Sequence, residues 1–508
     1  MTVLALGTQL TRQVGPLANH DGRVLMIEAR EFARRHPYHP HKLTLVFSAM
    51  RHFRDALVAD GYEVSYRQAE TFGDAFESHF DDRPDDELVV MRPASHGGGD
   101  RLRTLATEAG GSLRVVENET FLCSPATFDE WAGDAERLRH ESFYRFMRRE
   151  TDYLVDDGEP VGGEWNCDEQ NRETPSADYE PPAPPTFEPD ETTRAVGEWV
   201  ADEFAGGYDE QPYGGDWADP EPFRWPVTRD QALEALDAFV ATRLPTFGPY
   251  QDAMVEDEWA MNHSLLSAAL NLGLLTPAEV VERVLAAYHD RSVPLNSVEG
   301  FVRQVIGWRE FVRHVYRRTM PELARANQLD ESEPLPTFYW TGETDMACLS
   351  DVIDGVRARG YSHHIERLMI LANFALIYGV EPAQLNRWFH AAYVDAYHWV
   401  TTPNVVEMGL FGAGAFATKP YASSANYVDK MSDYCSGCPY AKTKTTGENA
   451  CPFNALYWDF LDRNEAQLRA NHRMGLMYHQ LDNKDEGERT AISERAAGIR
   501  NRAESGRL

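Results

Sequence analysis

Lysine is nearly absent. Of the 49 basic side chains in 508 residues only six are lysine, and 81 acidic groups bring the formal net charge to −32. Such an excess argues at first against a polyanionic partner, and a local count is needed before that exclusion stands. An acidic, lysine-poor surface is what a salt-rich cytoplasm favours, because at molar salt the Debye length falls to about 3 Å and self-repulsion is screened. Cysteine is also sparse, with six in the chain, and a cytoplasmic protein of this length needs no disulfides. No apolar run approaches the ~20 residues required to span a bilayer. The opening MTVLALGTQL lacks a basic stretch and a cleavage site, so the expectation is a soluble, cytoplasmic, halophilic protein. No G-x-G-x-x-G follows the first apolar strand, which excludes an ordinary dinucleotide fingerprint.

What is present divides the chain in three: 1–130, 131–230 and 231–508. The first part alternates strand-like segments (Val3–Leu6, Arg23–Glu28, Glu63–Tyr66, Leu88–Met91, Leu113–Val116) with helical patterns such as Lys42–Leu57. That alternation predicts a mostly parallel sheet in an α/β domain. The middle part is an acidic, Pro- and Gly-rich connector; Thr151–Pro220 holds 20 acidic and two basic residues. From about Asp230 onward 3.6-residue periodicity dominates, predicting helices over Gln231–Leu244, Asn262–Leu274, Pro277–His289, Val298–Arg318, His363–Tyr378 and Pro382–Trp399. The residues from Asp482 on read as a terminal helix or a frayed tail. Residues 301–480 carry 19 acidic against 17 basic groups. The negative charge is therefore sequestered, and the C-terminal half is free to meet a polyanion.

Three cysteines cluster as Cys435-Ser-Gly-Cys438 and Cys451-Pro452, with Cys348 available from a distant turn. Four thiolates suit a structural zinc or a [4Fe–4S] cluster. One knuckle, one Cys-Pro and one remote cysteine are irregular for a zinc ribbon, which favours iron–sulfur. Cys123 and Cys167 read as small core residues. Trp308, Trp340, Trp388 and Trp399 punctuate the helical part; taken alone, such aromatics are core more often than cofactor box. The adjacent His363 and His364 point to different sides of a helix start, so one could face a cavity as an acid. Asp395, on another helix, could pair with Arg367 by charge-assisted hydrogen bonds.

With these residues in view, the sequence resembles the photolyase/cryptochrome superfamily, in its iron–sulfur bacterial branch of prokaryotic (6-4) photolyases. The resemblance covers nearly the whole chain and rests on HKLTLVFSAMRHF (41–53), PVGGEWNCDEQNR (160–172), NHSLLSAALNLGLL (262–275), PLNSVEGFVRQVIGWREF (294–311), LPTFYWTG (335–342), YSHHIERLMILANFAL (361–376), TKPYASSANYVDKMSDYCSGCPY (418–440) and CPFNALYWDF (451–460). It implies an α/β, Rossmann-like antenna domain, a long connector and an all-helical domain folded around FAD. It implies [4Fe–4S] ligation by Cys348, Cys435, Cys438 and Cys451, in a region similar to the large subunit of primases.

The same resemblance implies that Ser264, Leu265, Leu266 and Ser267 meet flavin phosphates, with Gln304, Trp308 and Arg309 on the next flavin-facing helix. Arg367 and Asp395 would be the ion pair beside the isoalloxazine and Asn404 the neighbour of its N5. Light-driven electron transfer would use Trp388 and Trp340; Phe389 stands where tyrosine is expected. The implied reaction is repair of a flipped-out pyrimidine (6-4) lesion in UV-damaged DNA by an excited reduced flavin, with His364 as acid and His363 positioning it. A second histidine found in eukaryotic relatives is Leu368 here. Tyr421, beside Lys419, is implied as a lesion-side contact. The implied antenna chromophore is 6,7-dimethyl-8-ribityllumazine, near the first βα loop and residues 28–53, but Thr8 stands in place of a usual aspartate. In WN-aromatic-D the aromatic is Cys167, between Asn166 and Asp168.

Four of the six lysines, Lys419, Lys430, Lys442 and Lys444, lie within 26 residues, a concentration that favours phosphate contact over a solvated turn. A monomeric, membrane-independent repair enzyme is the leading expectation. A cryptochrome-like blue-light sensor with the same cofactors is the alternative, and a flavin-free nucleic-acid binder of primase type is a third.

Overall fold

The computed structural model describes every residue except 136, 177, 207–212 and 507. Five strands, β1 (Thr2–Ala5), β2 (Arg23–Ala29), β3 (Glu63–Ala69), β4 (Glu87–Met91) and β5 (Ser112–Val116), form one parallel sheet in the order β3-β2-β1-β4-β5. Val3 sits opposite Val24 on one side and Val89 on the other. The strand order reverses between β1 and β4, so the loops leaving these two strands border a crevice at the sheet's carboxyl end. Helix α1 (Pro40–Ala59) begins two residues before the expected Lys42, because proline is at home in a first helical turn and His39 accepts the His41 N–H. One face of the sheet is covered by α2 (Phe72–Asp82) and α3 (Gly98–Glu108), through Leu4, Phe76 and Leu102. The other face, with Val3, Val24 and Met50 of α1, is continuous with the core of the helical remainder. The strand–helix alternation expected of the first part is thus the observed architecture.

The acidic connector is more than linker. It contains helices His140–Thr151 and Glu191–Glu203, while residues 136, 177 and 207–212 of it lie outside the described residues. Asp190 caps the second helix by accepting the Thr193 N–H, and Val196 and Val200 are buried. Trp199 packs 5.1 Å from Phe47 of α1. An overall acidic composition conceals this apolar stripe.

From residue 229 on the chain is mostly helical, and two expected helices are broken. Asn262–Leu274 shrinks to Ser267–Leu272, because residues 263–266 are irregular and Leu265 takes a left-handed φ of 61°. Pro382–Trp399 divides into Pro382–Ala392 and His398–Thr402. In the gap, the Val394 N–H donates to Gly360 O, and the carbonyls of Asp395 and Ala396 accept from Asn271 and Lys42. These distant partners replace the helical ladder. Four longer helices each contain a π-helical turn: Phe239–Arg243, Arg303–Arg309, Glu366–Ala372 and Pro403–Gly409. The terminal segment is a helix, Glu486–Glu504, which buries Ile492, Ala496 and Ile499. Among the described residues no helix is long and apolar enough to cross a membrane.

Candidate active site

Both broken segments are joined by hydrogen bonds to the π-turns Phe239–Arg243 and Glu366–Ala372. Arg367, in the π-turn Glu366–Ala372, holds Asp395 of the broken segment by two parallel bonds, 3.0 and 3.1 Å long. Its Nε donates to Ser362 O at 2.7 Å, and Ser267 Oγ donates to Asp395 at 2.6 Å. The segment around Ser267 is thereby tied to the ion pair. Lys42 lies behind, buried, its Nζ donating to the carbonyls of His390 and Ala396 at 2.6 and 2.5 Å. Burial lowers its pKa to about 7, against the raising field of Asp395.

Each π-turn carries a residue singled out above or one beside it in space. Such turns recur at functional sites because the extra residue re-aims side chains. Gln304, Trp308 and Arg309 ride on one, Arg367 on the second and Asn404 on the third. Gln304, Trp308 and Asn404 are half-buried, and Trp308 stacks on His140 at 3.7 Å. Arg309 is engaged with Glu310 at 3.0 Å and lies over Phe121. The fourth π-turn supplies Arg243, which the sequence did not single out. This guanidinium is fully buried, donates from Nη1 to His263 O at 2.6 Å, and leaves Nε and Nη2 without a hydrogen-bond partner among the described residues. Its pKa falls to about 10 through desolvation. A buried cation with two unused donors, beside the backbone that leads into Ser264–Ser267, fits an anionic group such as a phosphate. Ser264 and Leu265 are half-buried and Leu266 is buried, so Ser264 and Ser267 are the hydroxyls within this stretch.

The two histidines part company. His363 is fully buried, stacked face to face on His263 at 4.6 Å. His364 is exposed to solvent although protein surrounds it, so it lines an internal recess beside Arg367. Its pKa is lowered to about 4, by desolvation first and then by the charges of Arg367 and His363. Tyr421 is 40% exposed and Lys419 half-buried.

Trp388 is fully buried and donates from its indole to Tyr339 O at 3.0 Å. Trp340 is half-buried, stacked on Tyr213 at 5.1 Å and edge-on to Trp217. Phe389 stacks on Tyr393 at 5.1 Å, and Tyr393 lies 5.9 Å from Trp388 with the Arg367 guanidinium 4.2 Å above it. Tyr393 therefore bridges the tryptophan and the ion pair, a role only the helix break at Ala392 makes possible.

Cys348 opens helix Ala347–Arg359, Cys435 and Cys438 sit on the loop before Tyr440, and Cys451 precedes helix Pro452–Arg463. Burial pushes the Cys348 and Cys451 thiols up, Cys451 to about 12, and the fields of the neighbouring thiols add to this. The four are thus within electrostatic reach of one another. Among the described residues no three His, Cys, Asp or Glu side chains close around a point as they would around one metal ion. Of the clustered lysines, Lys430 is exposed, Lys444 donates to Asn449 and Lys442 is paired with Asp429. Lys442 therefore has an anionic partner that a phosphate would have to displace. Near the first βα loop, Thr8 is half-buried, and a Cβ on Gly7 would meet Met50 and Val46 at 3.0 and 3.3 Å. The Glu28 carboxylate there is already taken by Arg51, Gln68 and Tyr66.

A family model described as deoxyribodipyrimidine photo-lyase-related protein matches residues 3–218. Over 507 residues the chain is 39% identical to a (6-4) photolyase of Agrobacterium fabrum, covering 98% of each chain. Its fold is similar to that of a bacterial class III photolyase from Agrobacterium tumefaciens, with a TM-score of 0.60 at 17% identity and coverage of 99% and 98% of the two chains. A Synechocystis cryptochrome matches with a TM-score of 0.57 at 14% identity, over 85% and 86% of the two chains. With full-length identity at that level and a fold shared from the sheet to the last helices, the chain belongs to the photolyase/cryptochrome family.

Proposed function

We propose that the protein is a light-driven (6-4) DNA photolyase that holds FAD between the π-turns and the Ser264–Ser267 segment. The observation that carries this reading is the split between the histidines: His364 opens into a recess beside Arg367 while His363 is wholly enclosed. The unused donors of Arg243 and the hydroxyls of Ser264 and Ser267 suit the phosphates, and Arg367 with Asp395 suits the ring system. Bound there in its reduced form, FAD would supply light-driven electron donation to the lesion. His364 then gives a proton to the flipped-out base. On this chain alone its imidazole is neutral near pH 7, and the negative charge of DNA phosphates shifts it toward the imidazolium. Tyr421 and the lysines Lys419, Lys430 and Lys444 meet the damaged strand from the exposed side. Trp340, Trp388 and Tyr393 offer oxidisable rings, which Phe389 does not, and would pass electrons from an external reductant toward a bound flavin.

Cys348, Cys435, Cys438 and Cys451 are assigned to a [4Fe–4S] cluster. Four mutually opposed thiolates are costly to bury without positive metal between them, and a four-iron cluster sets its ligands farther apart than one zinc ion does. Exchanging Cys438 for Ser is expected to lose iron, measured by metal analysis, together with much of the folded yield; an iron-replete, stable variant would contradict the assignment. The antenna lumazine is not assigned, because Thr8 offers no carboxylate, Gly7 lies flush against α1 and Glu28 is spent. The decisive test is to illuminate the reduced protein with an oligonucleotide that contains a (6-4) lesion. Restored thymines are the expected result; none, with flavin bound, would favour a blue-light sensor.

A further inference from the structure

Glu366 is an acid buried beside the histidine pair that the proposed reaction leaves without a role. It is 2% exposed, and no lysine or arginine forms an ion pair with it among the described residues. One carboxylate oxygen accepts the backbone N–H of His363 at 3.1 Å. The other stands 3.1 Å from His363 Nε2, off the line of a regular hydrogen bond in this arrangement, and receives the Tyr434 hydroxyl at 3.4 Å. That hydroxyl is shared with Asp351 at 2.8 Å. The groups whose fields reach Glu366 come from every side: His363 and Arg367 on its own helix, Asp351 and Arg359 on helix Ala347–Arg359, Tyr434 on the cysteine loop, and Tyr361 and Tyr393 from adjoining segments. Among the described residues no other side chain hydrogen-bonds to His363: its Nδ1 is unpartnered, as is Nε2 of the stacked His263.

We propose that Glu366 is a positioning residue that acts as a neutral carboxylic acid, donating its O–H to His363 Nε2 and so fixing the ring and its Nδ1–H tautomer against His263 behind His364. This rests on the photolyase reading for its catalytic consequence but not for its chemistry. A charged carboxylate in this place would lack a counter-ion, which is the condition that drives burial toward the neutral form. Burial accordingly raises the Glu366 pKa to about 8, while desolvation lowers that of His363 to about 3, so both partners are neutral at pH 7. A neutral acid and a neutral imidazole can pair in two ways, and the carboxyl hydrogen on Nε2 is the one that gives that hydrogen an acceptor, since the other carboxyl oxygen already faces the His363 backbone N–H. Ionising Glu366 removes the donor and sets a carboxylate against that nitrogen.

A folded-state pKa raised above the unfolded carboxyl value contributes stability that is complete below about pH 4.3 and is lost as pH rises through the folded value near 8. The test compares the full-length holoprotein with E366Q, which keeps a neutral donor in the same shape, and E366A, which removes it. Melting temperature is read from about pH 5 to about pH 9. The E366Q curve should gain on the wild type as pH rises, whereas curves that stay parallel would overturn the neutral-acid assignment. Nitrogen-15 spectra of labelled histidine should show His363 as the Nδ1–H tautomer in wild type and E366Q and altered in E366A; an unaltered signal in E366A would overturn the positioning role. In repair, E366A should lose about tenfold to a hundredfold, and E366Q should recover most of it without the wild type's alkaline decline. Equal repair and equal pH profiles in all three would refute the catalytic consequence. If the wild type repairs nothing, the melting and nitrogen-15 measurements still decide on Glu366, separately from the photolyase reading.

Discussion

His363 and His364 are neighbours in sequence and opposites in setting. One is sealed against His263 and Glu366, and the other lines a recess open to solvent. Exchanging His364 for Ala is therefore expected to abolish repair while flavin absorbance stays, and a variant that still restores thymines would remove it as the acid. Asp395 has a different kind of role. Among the described residues its carboxylate is the sole ion-pair partner of the Arg367 guanidinium, and it also accepts from Ser267. Asp395→Asn leaves a largely enclosed cation without its counter-charge, a change that costs about 3–5 kcal/mol. Urea unfolding and flavin retention should both register it. The Arg367–Asp395 pairing was legible from residue types alone, since a forked cation and a carboxylate on two amphipathic helices are natural partners. Arg243 and Glu366 were not legible, because nothing local distinguishes a buried ionisable group from one at the surface.

At the scale of elements, the strands and most helices follow from periodicity, and the exceptions are informative. Residues 262–266 and 393–397 keep an apolar pattern compatible with helix, yet the His263 carbonyl accepts from Arg243 and the Val394 N–H and the Asp395 and Ala396 carbonyls find partners on other elements. Side-chain spacing carries no signal for such exchanges. The π-turns are equally silent, because one extra residue in a turn barely alters an apolar stripe. Helix Glu191–Glu203 shows the converse: an acidic stretch that composition marks as linker packs on α1 through Trp199. Its cap is a test of that packing. Asp190→Ala removes the bond to the Thr193 N–H, and the expected loss is about 1 kcal/mol in urea unfolding. An unchanged midpoint would mean that the connector contributes nothing to global stability.

For the whole molecule, the −32 charge divides unevenly, and 70 residues of the connector hold a net −18 of it. Raising salt from about 0.15 M to about 1 M shortens the Debye length from about 8 Å to about 3 Å, so the melting temperature should rise with salt. Binding to DNA should move the other way. With Lys442 held by Asp429, three clustered lysines remain, and a slope of about −0.9 per phosphate contact gives no more than about −3 from them in log K against log salt. A much steeper slope would show that arginines carry the contact; a flat one would remove these lysines from it.

Alternation of apolar segments, periodicity and cysteine spacing were enough to establish a parallel sheet followed by a helical domain, with four thiols as one candidate cluster. Those features depend on residue order over short spans, where side-chain period and backbone conformation are coupled directly. The recess was decided by tertiary structure: which histidine is enclosed, where two helices break, and which buried cation and acid lack an ion pair of opposite fixed charge among the described residues. Each of these depends on groups far apart in the chain, through desolvation and hydrogen bonds that exist only once the elements have packed.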